Sequence, residues 1–293
     1  ANTTGGDNCA FGYAALDANT TGIFNTGLGF SACASNTSGT RNTGLGYGAL
    51  SANTTGAYNT AVGSGSLEST NGGNYLTAVG YGSGVLNTTG SSNTSIGYNA
   101  GKSTTTASHN TAVGTGALES NTTGGTNTAL GKDSMNANTT GSYNTALGAN
   151  TLQTCTTGGS NACIGYKSGY ALTTGASNAA IGDHAGKELT TGTANTCIGD
   201  QAGRSVTTGN YNVMLGHRAS YHVNPTTTGI GNVYLGSFSN PSVAGVNYEC
   251  IIGYNVNGQG NDTTALKGTP YNTANADWGT YSDIRIKKNV TDN

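Results

Sequence analysis

The chain has 293 residues, 49 of them glycine, with only 8% charged residues, 34% hydrophobic residues and a formal net charge of −2. That balance lacks the basic stripe of a nucleic-acid binder, and no apolar run approaches the ~20 residues of a membrane-spanning helix. Low charge also separates it from an ordinary disordered chain, so backbone hydrogen bonds and small close-packed side chains must hold it. The chain starts at Ala1 without a charged-then-apolar leader, which reads as a fragment, a processed product, or export by another route.

From the N-terminus, a repeat dominates. Glycines preceded by a large apolar residue fall at Gly12, Gly29, Gly46, Gly63, Gly80, Gly97, Gly114, Gly131, Gly148, Gly165, Gly182, Gly199 and Gly216, each step being seventeen residues. Gly236 follows a three-residue insertion and Gly253 lies seventeen further on, making fifteen copies. Each copy is numbered here from its glycine as position 0. Position −1 is always large and apolar, from Phe11 and Leu28 to Leu235 and Ile252, and position −4 is Asn except at Leu76 and Glu249. A second glycine usually stands at +10, with Ala107 as an exception. Glycine at fixed places suits turns that need positive φ.

Seventeen residues are too few for a helix pair, and Asn-Thr-Ala-Val-Gly is short, β-compatible and bounded by turn residues. The expected fold is all-β: a parallel β-solenoid or β-roll, with coils ~4.8 Å apart stacking like on like. Early copies carry Leu at +4 (Leu16, Leu50, Leu67, Leu118, Leu152), whereas later ones carry Gly169, Gly186 and Gly203 there and Leu172, Leu189 and Val206 at +7. The exchange implies that both positions fill one interior space. The sequence predicts two large buried side chains per coil, at −1 and at +4 or +7, one from each of two short strands. So thin a core favours side-by-side association.

All three prolines, Pro225, Pro241 and Pro270, come after the regular run of 1–216, as does the insertion around 222–228. Residues 217–281 therefore read as modified coils and a tip or transition region, the first place to look for a receptor contact, with a structural cap as the equal alternative, and 282–293 as a separate C-terminal segment.

Candidate sites are few. Position +1 is mostly aromatic (Tyr13, Phe30, Tyr47, Tyr81, Tyr98, Tyr166, Tyr254) but reads Asp183, Asp200 and His217 in three successive coils. Asp and His are acceptable metal ligands, and stacking would place the carboxylates ~5 Å apart, although solvated surface charge is the preferred account of them. The aromatic column is expected to be buried or semi-buried ladder packing, with sugar stacking as the functional alternative. Sequons at Asn19, Asn53, Asn87, Asn121 and Asn138 are glycosylation candidates if the chain meets a glycosylating compartment; otherwise they are by-products of the Asn-Thr-Thr turn. Six cysteines do not form a disulfide framework: Cys163 and Cys197 share a repeat position two coils apart, ~9–10 Å, too far for a bridge. No cofactor is expected.

The string Asn144-Thr-Ala-Leu-Gly148 with Asn-Thr-Thr-Gly linkers resembles the repeats of tail-fibre-domain proteins of phages, bacteria and large viruses. It is also similar to the shorter-period Asn-Ser-Val-Ala-Ile-Gly repeats in the heads of trimeric autotransporter adhesins. The likeness covers 1–216 well and 217–253 loosely, and implies a homotrimer of left-handed β-rolls. From Trp278 to Val290 the sequence WGTYSDIRIKKNV resembles the opening of the S74-family intramolecular chaperone domain. In that family the domain helps a fibre trimerise and then cuts itself away, which implies Ser282 as nucleophile and Lys287 as general base; a serine needs such a base at neutral pH.

These readings lead to an extracellular fibre shaft on a virus or phage particle, self-associated as a homotrimer and presenting a tip to a host cell-surface glycan or protein. No enzymatic turnover is expected beyond single-turnover self-cleavage at Ser282. Two other classes compete. A glycan depolymerase needs two carboxylates at defined separation, for which Asp183 and Asp200 are the one obvious cross-coil pair. An ice-binding solenoid needs two outward Thr columns in register, whereas Thr at +8 and +9 points to opposite faces.

Overall fold

The computed structural model describes residues 3–221 and 228–266. Sixteen strands of three residues each, from β1 (Cys9–Phe11) and β2 (Thr26–Leu28) to β15 (Cys250–Ile252) and β16 (Thr264–Leu266), form one parallel sheet in strictly sequential order. The register is like on like: Thr26 faces Thr43, Gly27 faces Gly44 and Leu28 faces Leu45. The fold is thus an all-β solenoid, and sixteen strands at ~4.8 Å spacing make it roughly 70 Å long.

Each coil contains one strand, at positions −3 to −1, and not two; the remaining positions are turns and bends. Those turns are stacked too. Ala52 donates its backbone N–H to the Glu68 carbonyl at 3.0 Å, and Thr37 donates to the Thr54 carbonyl at 2.9 Å. Coil-to-coil hydrogen bonding therefore runs around the perimeter, which is how a chain with so few apolar side chains satisfies its backbone.

Two residues bracket each strand. At position 0 the glycine has φ of about 130°, for instance 131° at Gly12 and 138° at Gly182, a region that is essentially glycine-only. A Cβ at Gly12 would lie 2.5 Å from the Gly29 carbonyl oxygen. At +10 the reason for glycine differs from the expected one: Gly22 and Gly39 do not have positive φ, but a Cβ on either would meet the next coil's carbonyl oxygen at 2.4 Å. Close approach, not turn geometry, selects glycine there. Positive φ falls instead at +2, +4 and −5, and mostly on non-glycine residues such as Leu50, Leu118, Phe24 and Tyr58.

On the other side of the strand stands the Asn at −4. Asn25 donates from Nδ2 to the Gly39 carbonyl at 2.8 Å, and its Oδ1 accepts the backbone N–H of Asn42 at 2.9 Å. Asn42 repeats both bonds with Gly56 and Asn59. The side chains are buried, so each Asn stitches two turns together where water cannot compete.

The core also differs from expectation. The residue at −2 points inward, small in most coils (Ala61, Ala78, Ala129, Cys163) and large in three near the C-terminal end (Met214, Tyr234, Ile251), and packs with +3 and with +4 or +7. The large residue at −1 points outward, and none of the sixteen, from Phe11 to Leu266, is buried. Side-chain alternation explains this: with −2 inward, −3 and −1 must face out. Each coil therefore buries at most one large side chain from its +4 and +7 pair.

β16 was hidden in the sequence because Leu266 comes fourteen residues after Ile252 and Lys267 occupies its position 0. Near this end Glu249 replaces the ladder Asn and is fully buried. Its Oε1 accepts the Gly260 N–H at 3.0 Å, and its Oε2 accepts the Tyr234 hydroxyl and the Ser242 N–H, both at 3.3 Å. Burial first, and then the Glu249 charge, push the Tyr234 hydroxyl well above the ordinary phenol range. Three donors on one carboxylate tie the last coils to those before them.

Candidate interaction face

The outer surface of the sheet is the most distinctive feature of the chain. It carries two columns in register over sixteen strands: position −3, which is mostly Thr, and position −1, which is always aliphatic or Phe. Neither column contains a charged residue. Leu28, Leu130 and Ile164 expose 41%, 48% and 37% of their surface, so the stripe is a continuous apolar ladder open to solvent. Isolated exposed hydrophobic residues are ordinary, but a contiguous patch of this length marks a surface that something covers.

Beyond position 0 the aromatic column at +1 is exposed, not buried or semi-buried as expected. Tyr13, Phe30 and Tyr47 stack face to face with centroids 5.2 Å apart at each step, and Tyr81 and Tyr98 do so at 5.6 Å. The intercoil step is close to the offset-stacking distance of aromatic rings, so the repeat itself builds the ladder. A second aromatic column, at −5, was not singled out in the sequence. Tyr58 and Tyr75 stack there at 5.2 Å, and the Arg41 guanidinium lies between Phe24 and Tyr58, 5.2 and 5.3 Å from their centroids. The signal was available in the seventeen-residue spacing of Phe24, Arg41, Tyr58 and Tyr75.

The structure does not assemble Asp183, Asp200 and His217 into a metal site. Among the described residues no three His, Cys, Asp or Glu side chains converge on a common point. The carboxylates are taken up separately: Asp183 Oδ1 lies 3.0 Å from His184 Nδ1, and Asp200 Oδ2 lies 3.1 Å from His217 Nε2. These are half-exposed pairs on the coil surface, where such contacts contribute little.

The sequon side chains at +7 face inward. Asn19, Asn53, Asn87, Asn121 and Asn138 are all buried. The amide nitrogens of Asn19, Asn53, Asn121 and Asn138 donate to the carbonyl of the glycine three residues on, for example Asn53 to Gly56 at 3.1 Å. The folded coil has no room for a glycan on those atoms.

The thirteen regular glycines from Gly12 to Gly216 form one column in which each leaves room for the carbonyl of the next. All six cysteines are free. Burial pushes the thiols of Cys33, Cys155, Cys163 and Cys197 upward, with Cys33 and Cys197 raised to about 12 and Cys155 to about 11. They serve as small apolar filler. Ser282 and Lys287, with Pro225 and Pro270, lie outside the described residues. Among the described residues no helix is long and apolar enough to cross a membrane. No protein-family model matches the chain, and no curated protein matches it.

Proposed function

We propose that the chain is the shaft of an extracellular fibre, assembled side by side into a homotrimer through the Thr/aliphatic face and serving to hold a host-binding tip away from a virus or phage particle. The observation that carries this reading is the uninterrupted, uncharged apolar ladder at position −1. A second copy is the occupant that fits it best, because only another surface with the same ~4.8 Å period matches it in register along its whole length. A strip roughly 70 Å long and about 10 Å wide gives on the order of 700 Å² per chain, close to the ~800 Å² per partner of a stable interface. Three copies, and the virion setting, follow from the resemblance to tail-fibre repeats and to the S74 opening at Ser282 and Lys287. A rod with backbone hydrogen bonds around every coil is also stiff enough to act as a spacer.

Native mass by light scattering tests the proposal. The expected mass is three times the 29.1 kDa of one chain, falling to one chain in a Leu130→Lys, Ile164→Lys double variant whose circular dichroism is unchanged. A monomeric wild-type protein would overturn the reading, and thermal hysteresis by that monomer would assign the same Thr/aliphatic face to ice.

A further inference from the structure

We infer a second binding site, independent of the assembly face: a slot between Tyr47 and Tyr81 that takes the guanidinium of an arginine side chain from a protein partner. In the +1 column Tyr47 ends one aromatic stack and Tyr81 begins the next, with the small Ser64 between them. Two coil steps separate the rings by roughly 9.6 Å. Both tyrosines are exposed, at 61% and 62%, and each has its other face occupied, by Phe30 and by Tyr98 respectively. The slot is thus lined by two ring faces that the chain itself leaves uncovered.

The chain shows what such an interval holds. In the −5 column Phe24 and Tyr58 are also two coils apart, and the intervening residue is Arg41. Its guanidinium lies 5.2 Å from one ring centroid and 5.3 Å from the other, and Nη1 donates to the Tyr58 hydroxyl at 3.1 Å. A planar cation between two aromatic faces is favourable on both sides. Where Arg41 fills its gap from within, Ser64 leaves the equivalent gap open.

Two further features select a cation. The Glu68 carboxylate lies beside the slot floor: a Cβ built on Gly65, next to Ser64, would be 3.4 Å from Oε2, and one on Gly48, next to Tyr47, would be 3.8 Å from Oε1. Glu68 is exposed and has no ion-pair partner among the described residues. The flank is also open, since those two atoms belong to the only group a Cβ would meet at either glycine, and on the neighbouring coils Phe30, Tyr47 and Glu68 line a groove of about 330 Å³. A carboxylate on the flank of an aromatic sandwich offers a fork of acceptors to guanidinium N–H groups.

The test is a titration of the full chain with acetyl-arginine amide, followed by ligand-observed NMR, with acetyl-citrulline amide and methyl hexopyranosides as comparison probes. Saturable binding of the arginine probe is expected, at least tenfold weaker for the neutral citrulline probe and for Tyr47→Ala, Tyr81→Ala and Glu68→Gln. Ser64→Arg should fill the slot as Arg41 fills its own, abolishing binding while leaving the thermal transition unchanged or higher. No saturable binding, binding unaffected by Tyr47→Ala and Tyr81→Ala, full binding by Ser64→Arg, or hexoside binding equal to arginine binding and indifferent to Glu68→Gln would each overturn the inference. Tyr47 and Tyr81 are exposed, so their substitution does not threaten the core. Failure leaves the shaft reading intact, because that reading rests on positions −3 and −1.

Discussion

The coils around Gly46, Gly114 and Gly131 and those around Gly165, Gly182 and Gly199 share one backbone but fill it differently. In the first group a large side chain at +4 (Leu50, Leu118, Met135) lies beside a buried Asn at +7 (Asn53, Asn121, Asn138). In the second, +4 is glycine and the large side chain moves to +7 as Leu172, Leu189 or Val206. The glycine carbonyl at +10 explains why the Asn can be given up. The Gly56 carbonyl accepts from both Asn53 at 3.1 Å and the −4 residue Asn42 at 2.8 Å. In the later coils the −4 Asn suffices alone, as when Asn178 donates to Gly192 at 2.9 Å. One ladder is redundant and drifts toward Leu; the other serves an N–H and a carbonyl at once and is replaced only at Leu76 and Glu249.

The largest effect should come from what the two groups share. Gly131→Ala and Gly182→Ala place a Cβ 2.5 and 2.4 Å from the carbonyl oxygen of the next coil's glycine, at φ of 135° and 138°. Each should cost about 3–5 kcal/mol, from a glycine-only conformation plus a backbone collision. The two costs should be equal, because the obstacle is backbone and not core filling. Hydrogen exchange of the amides in the flanking coils would read this locally; a marked difference between the two variants would show that the interior, after all, sets the tolerance of the frame.

The exchange between +4 and +7 comes next in size. Leu118→Gly should cost about 3–5 kcal/mol through lost burial and a cavity. Adding Asn121→Leu should restore at least ~1–2 kcal/mol, since the later coils hold that arrangement and the Gly124 carbonyl keeps its bond from Asn110 at 3.0 Å. By contrast Asn127→Leu should cost about 2–4 kcal/mol with no rescue, because it leaves the buried Asn144 N–H without its acceptor, while the Gly141 carbonyl keeps only its longer bond from Asn138 at 3.1 Å. Chemical denaturation of the four proteins in a double-mutant cycle separates these outcomes. Purely additive effects at 118 and 121 would mean that the two positions do not share a space.

Much of this was legible in the sequence. The seventeen-residue period gave the solenoid and its like-on-like register, and the swap of Leu118 for Leu189 gave the shared interior. The facing of the strand was misread because the eye goes to the large residue: Val79 and Ile96 look like core, yet Ala78 and Ser95 are the inward ones. From Gly27 to Cys197 the inward strand position is small while its outward neighbour is large, so size and burial are inverted there; only Met214, Tyr234 and Ile251 put a large side chain inward. The same inversion exposed the aromatic column and buried the sequons. The two Asp–His pairs depended on side-chain directions at +1 and +2 that the spacing alone does not fix. The slot at Ser64 became legible only once the +1 residues were known to point outward.

The smallest expected effect separates the two groups by their thiols. Cys155, Cys163 and Cys197 belong to the apolar end of the rod and Cys33 to the polar end, and burial holds all four protonated, raising Cys33 from an ordinary 9.0 to about 12 and Cys155 to about 11. In the unfolded chain these thiols ionise near their ordinary value, so above it the unfolded state binds fewer protons than the folded one. Stability from this source is therefore fully present below about pH 9 and falls as pH climbs toward the folded values near 11 and 12. At pH 8 a thiol reagent should label Cys9, which is exposed, and Cys250, which is partly so, and leave the other four untouched. Raising the pH to about 10 should release Cys155 before Cys163, because Cys155 carries the smaller shift. Mass spectrometry of labelled peptides gives the order directly. Labelling of Cys155, Cys163 and Cys197 at pH 8 with Cys33 still protected would mean that the thiol-lined coils open far more readily than the polar ones, reversing the view that Leu172, Leu189 and Val206 stabilise the interior as well as Leu50 and Leu118 do.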